Sequence, residues 1–358
     1  MRTIVLHDYF ERAEGGGRLS SLLVKGLDAD LCYGFACLPH PFVEGFQNPR
    51  EKDLKAFSSI PLWRQFKLAR TFETKTAFLA NYQTAIYSGF YTPLSINHHL
   101  KGKNILYCHT PPRFIYDQKD FYLQSLSPVL RPLLNSFTNW LQPRYEQAVQ
   151  KMDLIIANSN NIQRRIKRYL NKDSTVIYPP CEIEKFQWIS QQDYYLSFGR
   201  LDPLKRVSRI VEAFLQMPDK KLVIASEGSD YLKIREQIGN AKNIQLLGKV
   251  TEKNLLELIG NCIATLYIPQ DEDFGMSSVE SMAAGKPVLG VAEGGLLESI
   301  LPEQTGILLL PNPCVENIIK GVEKLTPHYA LEMRENCEKQ AQQFSVERFL
   351  IEINRTLE

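Results

Sequence analysis

The sequence predicts an α/β protein made of two wound, parallel-sheet domains, and three observations carry that prediction. Short apolar runs rich in β-branched residues alternate with stretches of helical periodicity along nearly the whole chain, the pattern of strands joined by crossover helices. The 358 residues exceed one ordinary domain and suit two of about 150 to 180 each, with two cores and a cleft between them. The step Tyr178-Pro179-Pro180 interrupts the alternation near mid-chain and stiffens the crossover, so 179–190 reads as the linker. A hydrophobic content of 44% with 23% charged residues is that of a globular protein and argues against a disordered or fibrous one.

In chain order, Thr3-Ile4-Val5-Leu6 opens the first series as a strand, followed by a helix over 18–26 and a strand over 31–36. Several helices are expected across 50–81, then strands at 84–87 and 105–108. A long helix around 126–151, kinked at Pro132 and Pro143, precedes strands at 154–157 and 175–177. The second series places strands at 195–198, 221–225, 244–247, 264–267, 287–291 and 306–309, with helices alternating between them. Two last helices, 329–343 and 346–357, have no strand of their own to cover, and the final one is expected to pack back onto the first domain. The domains are thus 1–180 with 344–358, and 181–343.

The segment from Asp271 to Glu280 concentrates the chemistry. Glu272 and Glu280 bracket a loop that turns into a helix, Gly275 permits close backbone approach, and Ser277 or Ser278 is placed to cap the helix. Its first-turn N–H groups then attract phosphate, while ionised glutamates on either side accept hydroxyl pairs. A ligand with a diphosphate between two sugars fits that pattern, which points to a nucleotide-sugar. The loop after the 195–198 strand, Gly199-Arg200-Leu201-Asp202-Pro203-Leu204-Lys205, adds two cations where ligands of open α/β sheets bind. Arg200 and Lys205 together suit oxygens that gain negative charge as a leaving group departs.

Gly199-Arg200 with Lys205, Glu272 and Glu280 with seven residues between them, and Ala284-Gly285-Lys286-Pro287-Val288 resemble the retaining glycosyltransferases of family 4, the glycogen-synthase-like group with the GT-B fold. The resemblance spans nearly the whole chain: Gly15-Gly16-Gly17 looks like that family's N-terminal glycine loop, and Ile177-Tyr178-Pro179-Pro180 like its interdomain segment. Tyr107-Cys108-His109-Thr110-Pro111-Pro112-Arg113-Phe114 is similar to a signature of bacterial mannosyltransferases of polysaccharide assembly. The resemblance implies that Arg200 and Lys205 hold the donor diphosphate and that amides of Phe274, Gly275, Met276 and Ser277 receive sugar and phosphate. It implies ribose contact for Glu280, donor-sugar contact for Glu272, and a place beside the reacting carbon for His109. Gly16 and Gly17 would close over the phosphates, and the base would lie near Glu227-Gly228-Ser229 and Val250. No metal and no other cofactor is implied. Where related sequences carry Pro after Phe-Gly-x, this chain has Ser277-Ser278, a change expected to loosen the donor loop.

Other features read blandly. Asp28-Ala29-Asp30 imitates a metal clamp but reads as a turn, Asp273-Phe274-Gly275 lacks the rest of a kinase, and His98-His99 reads as a surface pair. Seven cysteines, odd in number and widely spread, read as reduced thiols. Residues 1–180 hold 23 Lys and Arg against 14 Asp and Glu, a net +9, so the remainder carries −7 of the overall +2. Arg164-Arg165-Ile166-Lys167-Arg168 reads as a solvated helix face, with an anionic membrane as second choice and nucleic acid excluded. Trp63, Phe66 and Leu68 are expected in the core. No segment is apolar for the roughly 18 residues a membrane span needs, and the N-terminus reads as a strand and not as a signal peptide. The expectation is a cytoplasmic enzyme, peripheral on the inner membrane face, that transfers a hexose, first guess mannose from GDP-mannose, to a lipid-linked saccharide or polysaccharide. Alternatives are a non-catalytic partner in a glycan-assembly complex and a nucleotide-sugar epimerase or hydrolase.

Overall fold

A computed structural model describes residues 2–11, 15–37, 50–60 and 62–357. The chain divides into two compact units, Met1–Tyr178 with Phe349–Glu358, and Pro179–Arg348.

The first unit is a seven-stranded parallel sheet of order β3-β2-β1-β4-β5-β6-β7. Its strands are β1 Thr3–His7, β2 Asp30–Tyr33, β3 Glu51–Asp53, β4 Thr84–Ser88, β5 Lys103–Cys108, β6 Leu154–Ala157 and β7 Thr175–Val176. Helices α1 Gly15–Gly26, α2 Trp63–Thr74, α3 Lys119–Ser125, α4 Arg131–Gln150 and α5 Asn160–Leu170 connect them. Because successive strand residues face opposite ways, Ile4, Leu6, Ala85, Tyr87, Leu106 and Ile155 join one core with Leu68, Leu141 and Ile162 from α2, α4 and α5. Val5, Ile86, Ile105, Tyr107 and Ile156 face the other core, against Leu19 and Leu23 of α1. Burial on both faces explains the continuous apolar runs of these strands.

The second unit is a six-stranded parallel sheet of order β10-β9-β8-β11-β12-β13. Its strands are β8 Tyr195–Ser197, β9 Leu222–Ile224, β10 Ile244–Leu246, β11 Thr265–Leu266, β12 Val288–Val291 and β13 Gly306–Leu309. Helices α6 Val207–Leu215, α7 Tyr231–Ile238, α8 Glu252–Asn261, α9 Met276–Ala283 and α10 Leu296–Ser299 alternate with them, and α11 Val315–Lys324, α12 Pro327–Glu332 and α13 Arg334–Gln342 follow. The last helix, α14 Val346–Leu357, sends Phe349 and Ile353 into the α1 side of the first unit's core, as its lack of a strand predicts.

Several expectations are corrected. Residues 51–53 form an edge strand instead of a helix; its charged Glu-Lys-Asp sequence hides strand character but suits an exposed edge. The glycines 15–17 form the first turn of α1 and not a loop. The long helix begins at Arg131, so Pro132 sits in its first turn, where proline is tolerated, and Pro143 alone lies inside. His99 is buried, with ring nitrogens 2.8 Å from Asn104 Oδ1 and 3.0 Å from Tyr82 O, so it is no surface residue. Asp28 occupies a turn, but Asp30 is buried at the start of β2 and accepts from Tyr82 Oη at 2.6 Å. Arg165 turns inward, its Nη1 3.3 Å from Thr110 Oγ1, while Arg164, Lys167 and Arg168 stay exposed. Leu68 is core, whereas Trp63 is 53% exposed.

Candidate functional site

In each sheet the winding direction reverses once, between β1 and β4 and between β8 and β11. Open α/β sheets bind ligands beyond the carboxyl ends of the strands at such points. Lys205, Glu272 and the start of α9 lie on connections that leave β8 and β11, and Gly16 and His109 on those that leave β1 and β5, whereas Val250 lies after the edge strand β10.

In the second unit, the turn after β8 runs through Arg200 to Lys205, and the loop after β11 carries Tyr267 to Gly275. Lys205 Nζ donates to Glu272 Oε2 at 2.6 Å and to Tyr267 Oη at 2.9 Å. The Lys205 and Glu272 side chains are 17% and 22% exposed, so the pair is largely shielded yet open at one side. Burial alone lowers the Lys205 pKa, but the neighbouring Tyr267 and Glu272 outweigh it and hold the ammonium charged. Burial and the Glu272 charge push the Tyr267 phenol up, so it stays protonated. Arg200 lies apart from that pair, 58% exposed, its Nε 3.2 Å from Asp202 Oδ2.

Phe274 is buried against Phe344, ring centroids 5.3 Å apart, and anchors the loop. Gly275 follows with φ 95°, where a Cβ would also meet Leu296 Cδ1 at 2.8 Å, so glycine is required twice over. It is the N-cap of α9 and no side chain caps the helix. The expectation of a serine cap is therefore corrected: Ser277 and Ser278 lie inside the first turn. Ser278 is buried, donates to Gly275 O at 2.6 Å and sits 2.9 Å from Ser299 Oγ, so the loop expected to be loosened there is tied down. Met276, Ser277 and Glu280 are half-buried on the same helix. Val250 is half-buried before α8 and packs against the core cluster that holds Leu196, Val223 and Ile259; next to it in the chain, Lys249 Nζ lies 3.9 Å from Glu227 Oε1.

A brace holds the two loops together, and sequence reasoning missed it. Arg206, at φ 53°, donates from Nη1 to Glu293 Oε1 at 2.8 Å; Glu293 also accepts the Asp271 and Asn312 amides at 3.0 and 2.7 Å. Burial raises the Glu293 carboxyl, but the Arg206 bond and the two amides outweigh it and keep it ionised. Gly294 passes the Glu272 loop so closely that a Cβ would stand 2.1 Å from Glu272 O. Such partners are dozens of residues apart; only the Glu-Gly-Gly turn at 293–295 hinted at them.

In the first unit, His109 follows β5, with Ser88 Oγ 2.8 Å from its Nε2. Burial pushes its pKa down to about 3, the neighbouring His7 adding to the effect, so the ring is neutral. A Cβ at Gly16 would lie 3.6 Å from His109 Nε2 and 3.6 Å from His7 Cε1, so α1 begins against both rings; Gly17 is buried beneath. Asp8 was missed: it accepts the amides of Phe90, Tyr91 and Thr92, and burial still raises it to about 6. Among the described residues no group of His, Cys, Asp or Glu is arranged to hold a metal, and all seven cysteines are free thiols.

Residues 181–344 match the family model described as glycosyl transferases group 1. The Alpha-1,3/1,6-mannosyltransferase ALG2 of Mus musculus is 22% identical over 244 residues, 58% of this chain and 56% of that protein. An uncharacterized glycosyltransferase, MJ1178 of Methanocaldococcus jannaschii, is 26% identical over 227 residues, 62% of this chain and 64% of its own. These matches span less than two thirds of the relatives' own lengths. Among solved structures, HepE of Anabaena in complex with UDP and glucose superposes with a TM-score of 0.77 at 16% identity, covering 100% of this chain and 99% of that one. The outer core galactosyltransferase WaaB of lipopolysaccharide, in its apo form, gives 0.74 at 15% identity, covering 100% and 99%. Such likeness establishes the fold, two parallel-sheet Rossmann-like domains. Residues 181–344, just under half of the chain, thus resemble the group 1 glycosyl transferases, and the chain as a whole has the two-domain GT-B fold of HepE and WaaB.

Proposed function

We propose that the protein is a retaining glycosyltransferase that moves a hexose, with mannose from GDP-mannose as first choice, to a lipid-linked or polysaccharide acceptor. The observation that carries the reading is the Lys205–Glu272–Tyr267 cluster beside the uncapped start of α9. A fixed ammonium and helix-end amides suit a diphosphate, and Glu272 suits the hydroxyls of the sugar attached to it. Glu280, farther along α9, takes the ribose, Val250 lies by the base, and Arg200, exposed on the same side of its strand end, swings onto the diphosphate.

In the reaction an acceptor hydroxyl attacks the anomeric carbon on the face from which the diphosphate leaves. The carbon–oxygen bond to phosphate breaks, the new glycosidic bond forms, and a diphosphate oxygen takes the acceptor proton. Positioning and electrostatics supply the rate, and Lys205 and Arg200 stand in the role a metal would otherwise fill. Similarity to α-1,3/1,6-mannosyltransferases favours mannose. A second reading, a UDP-hexose donor, is favoured by the structure of HepE in complex with UDP-glucose. Docking on an anionic membrane is supported by the exposed Arg164, Lys167 and Arg168 and by Ile60 and Trp63, 62% and 53% exposed. No helix among the described residues is long and apolar enough to cross a membrane.

The test is thermal unfolding with GDP, UDP, ADP and their hexose conjugates, beside Glu280→Ala, followed by transfer assays with the donor that binds. A ligand at about 100 times its Kd adds about 2.7 kcal/mol. Stabilisation by one nucleotide, lost in the variant, assigns the donor. No stabilisation and no transfer or donor hydrolysis sinks the proposal and favours a non-catalytic partner.

A further inference from the structure

His7, Ser88 and His109 stand side by side at the carboxyl ends of β1, β4 and β5, with His7 and Ser88 paired in register across the reversal point. Ser20, on the second turn of α1, meets them from one face. Its Oγ is 3.0 Å from His7 Nδ1, 2.9 Å from Ser88 Oγ and 3.0 Å from the Gly16 carbonyl. Ser88 joins the set twice, its carbonyl 2.8 Å from His7 Nδ1 and its Oγ 2.8 Å from His109 Nε2.

Counting protons gives this cluster one direction. The Ser88 carbonyl only accepts, so His7 carries its proton on Nδ1. The Gly16 carbonyl only accepts, so the Ser20 proton goes there. The Ser20–Ser88 contact must then use the Ser88 proton, and the Ser88–His109 contact must use a proton on His109 Nε2. Five contacts share four protons, so the His7 Nδ1 proton is divided between the Ser88 carbonyl and Ser20 Oγ, and this is the one arrangement that also makes the Ser20 bond to the Gly16 carbonyl. Ser20 and Ser88 are fully buried, where an unmade hydrogen bond costs most.

We propose that Ser88, Ser20 and His7 are positioning residues that lock His109 as the Nε2–H tautomer, so that its Nδ1 presents a lone pair to a substrate hydroxyl. Burial that keeps the ring neutral preserves that lone pair. Among the described residues Nδ1 makes no hydrogen bond. An acceptor nitrogen, in place of a donor, selects a hydroxyl over a carbonyl or phosphate oxygen as its partner. The hydroxyl belongs to the donor sugar or the acceptor saccharide, and this half of the inference rests on the glycosyl-transfer reading; the tautomer itself does not.

The test is ring-nitrogen NMR of the full chain with labelled histidine, His109 being assigned by the signal lost in His109→Gln. The expected pattern is a pyrrole-type Nε2 and a pyridine-type Nδ1 in the wild type. In Ser88→Ala, and in Ser20→Ala, which frees the Ser88 proton to turn toward His109, the two nitrogens move toward averaged shifts. Both variants are checked for an unchanged unfolding transition, and kcat for glycosyl transfer is expected to fall about 10- to 100-fold with KM little changed. A pyridine-type Nε2 in the wild type, or an unaltered pattern in both variants, overturns the proposal. Because the spectra need no substrate, failure of all donors overturns the reaction assigned above, while the ring pattern decides this inference.

Discussion

On the proposed function, the second unit's chemistry turns on Lys205. Its ammonium is held by Glu272 and Tyr267 before any ligand arrives, so no side-chain order has to be created at the moment of binding. Lys205→Ala is expected to lower kcat by about 10²-fold or more and to weaken nucleotide-diphosphate binding, measured by initial rates and titration; an unchanged kcat removes Lys205 from the mechanism. His109 makes a prediction about pH. Its folded pKa, about 3, lies below the ordinary histidine value. Stability is therefore present above about 6.5 and lost as pH falls from there toward 3, at up to about 1.4 kcal/mol per pH unit. Urea unfolding between pH 7 and 4.5 should show a slope that His109→Gln reduces. Lys205 and Glu272 were legible in the sequence because spacing and charge mark them. Tyr267 and Asp8 were not, since an aromatic or an acid at a strand end reads equally well as core or turn until its partners are known.

At the scale of elements, strands were legible because burial on both faces writes continuous apolar runs into the chain. β3 escaped because an edge strand only needs to pair on one side, and Glu51-Lys52-Asp53 carries no apolar signal. The start of α9 was half legible: Gly275 and the loop were visible, but the serines were misassigned as caps because the hydroxyl of Ser278 finds Gly275 O and Ser299 instead. The loop between β11 and α9 depends on the buried Arg206–Glu293 pair, with side chains 8% and 13% exposed. Arg206→Ala leaves a carboxylate buried without its counter-charge and is expected to cost on the order of 3 kcal/mol. Glu293 then has only the two amides, so the Asp271 loop loosens and donor KM rises. Equilibrium unfolding and donor titration check both; a variant with wild-type KM would show that the brace does not support the loop.

For the whole molecule, the first domain's basic excess and the second's acidic one were legible from counting alone, as were the two units and the returning last helix. Side-chain traffic between distant loops was not, because it leaves no local pattern. The return of α14 has an energetic weight: Phe349 is fully buried beside Tyr107, ring centroids 5.9 Å apart, in the core that also holds Val5 and Leu23. Phe349→Ala is expected to cost about 3 to 5 kcal/mol, with hydrogen exchange locating the loss in the seven-stranded sheet and leaving the six-stranded one protected.

Synthesis on the ribosome gives that helix a further consequence. A nascent chain generally folds its domains in the order they emerge, but here the earliest domain lacks part of its core until the latest residues appear. The α1 side of its sheet, with Leu19, Leu23 and Tyr107, must wait uncovered while the whole second unit is translated. The second unit is complete first, and the amino-terminal domain closes last, so a stalled chain exposes the older domain and not the newer one.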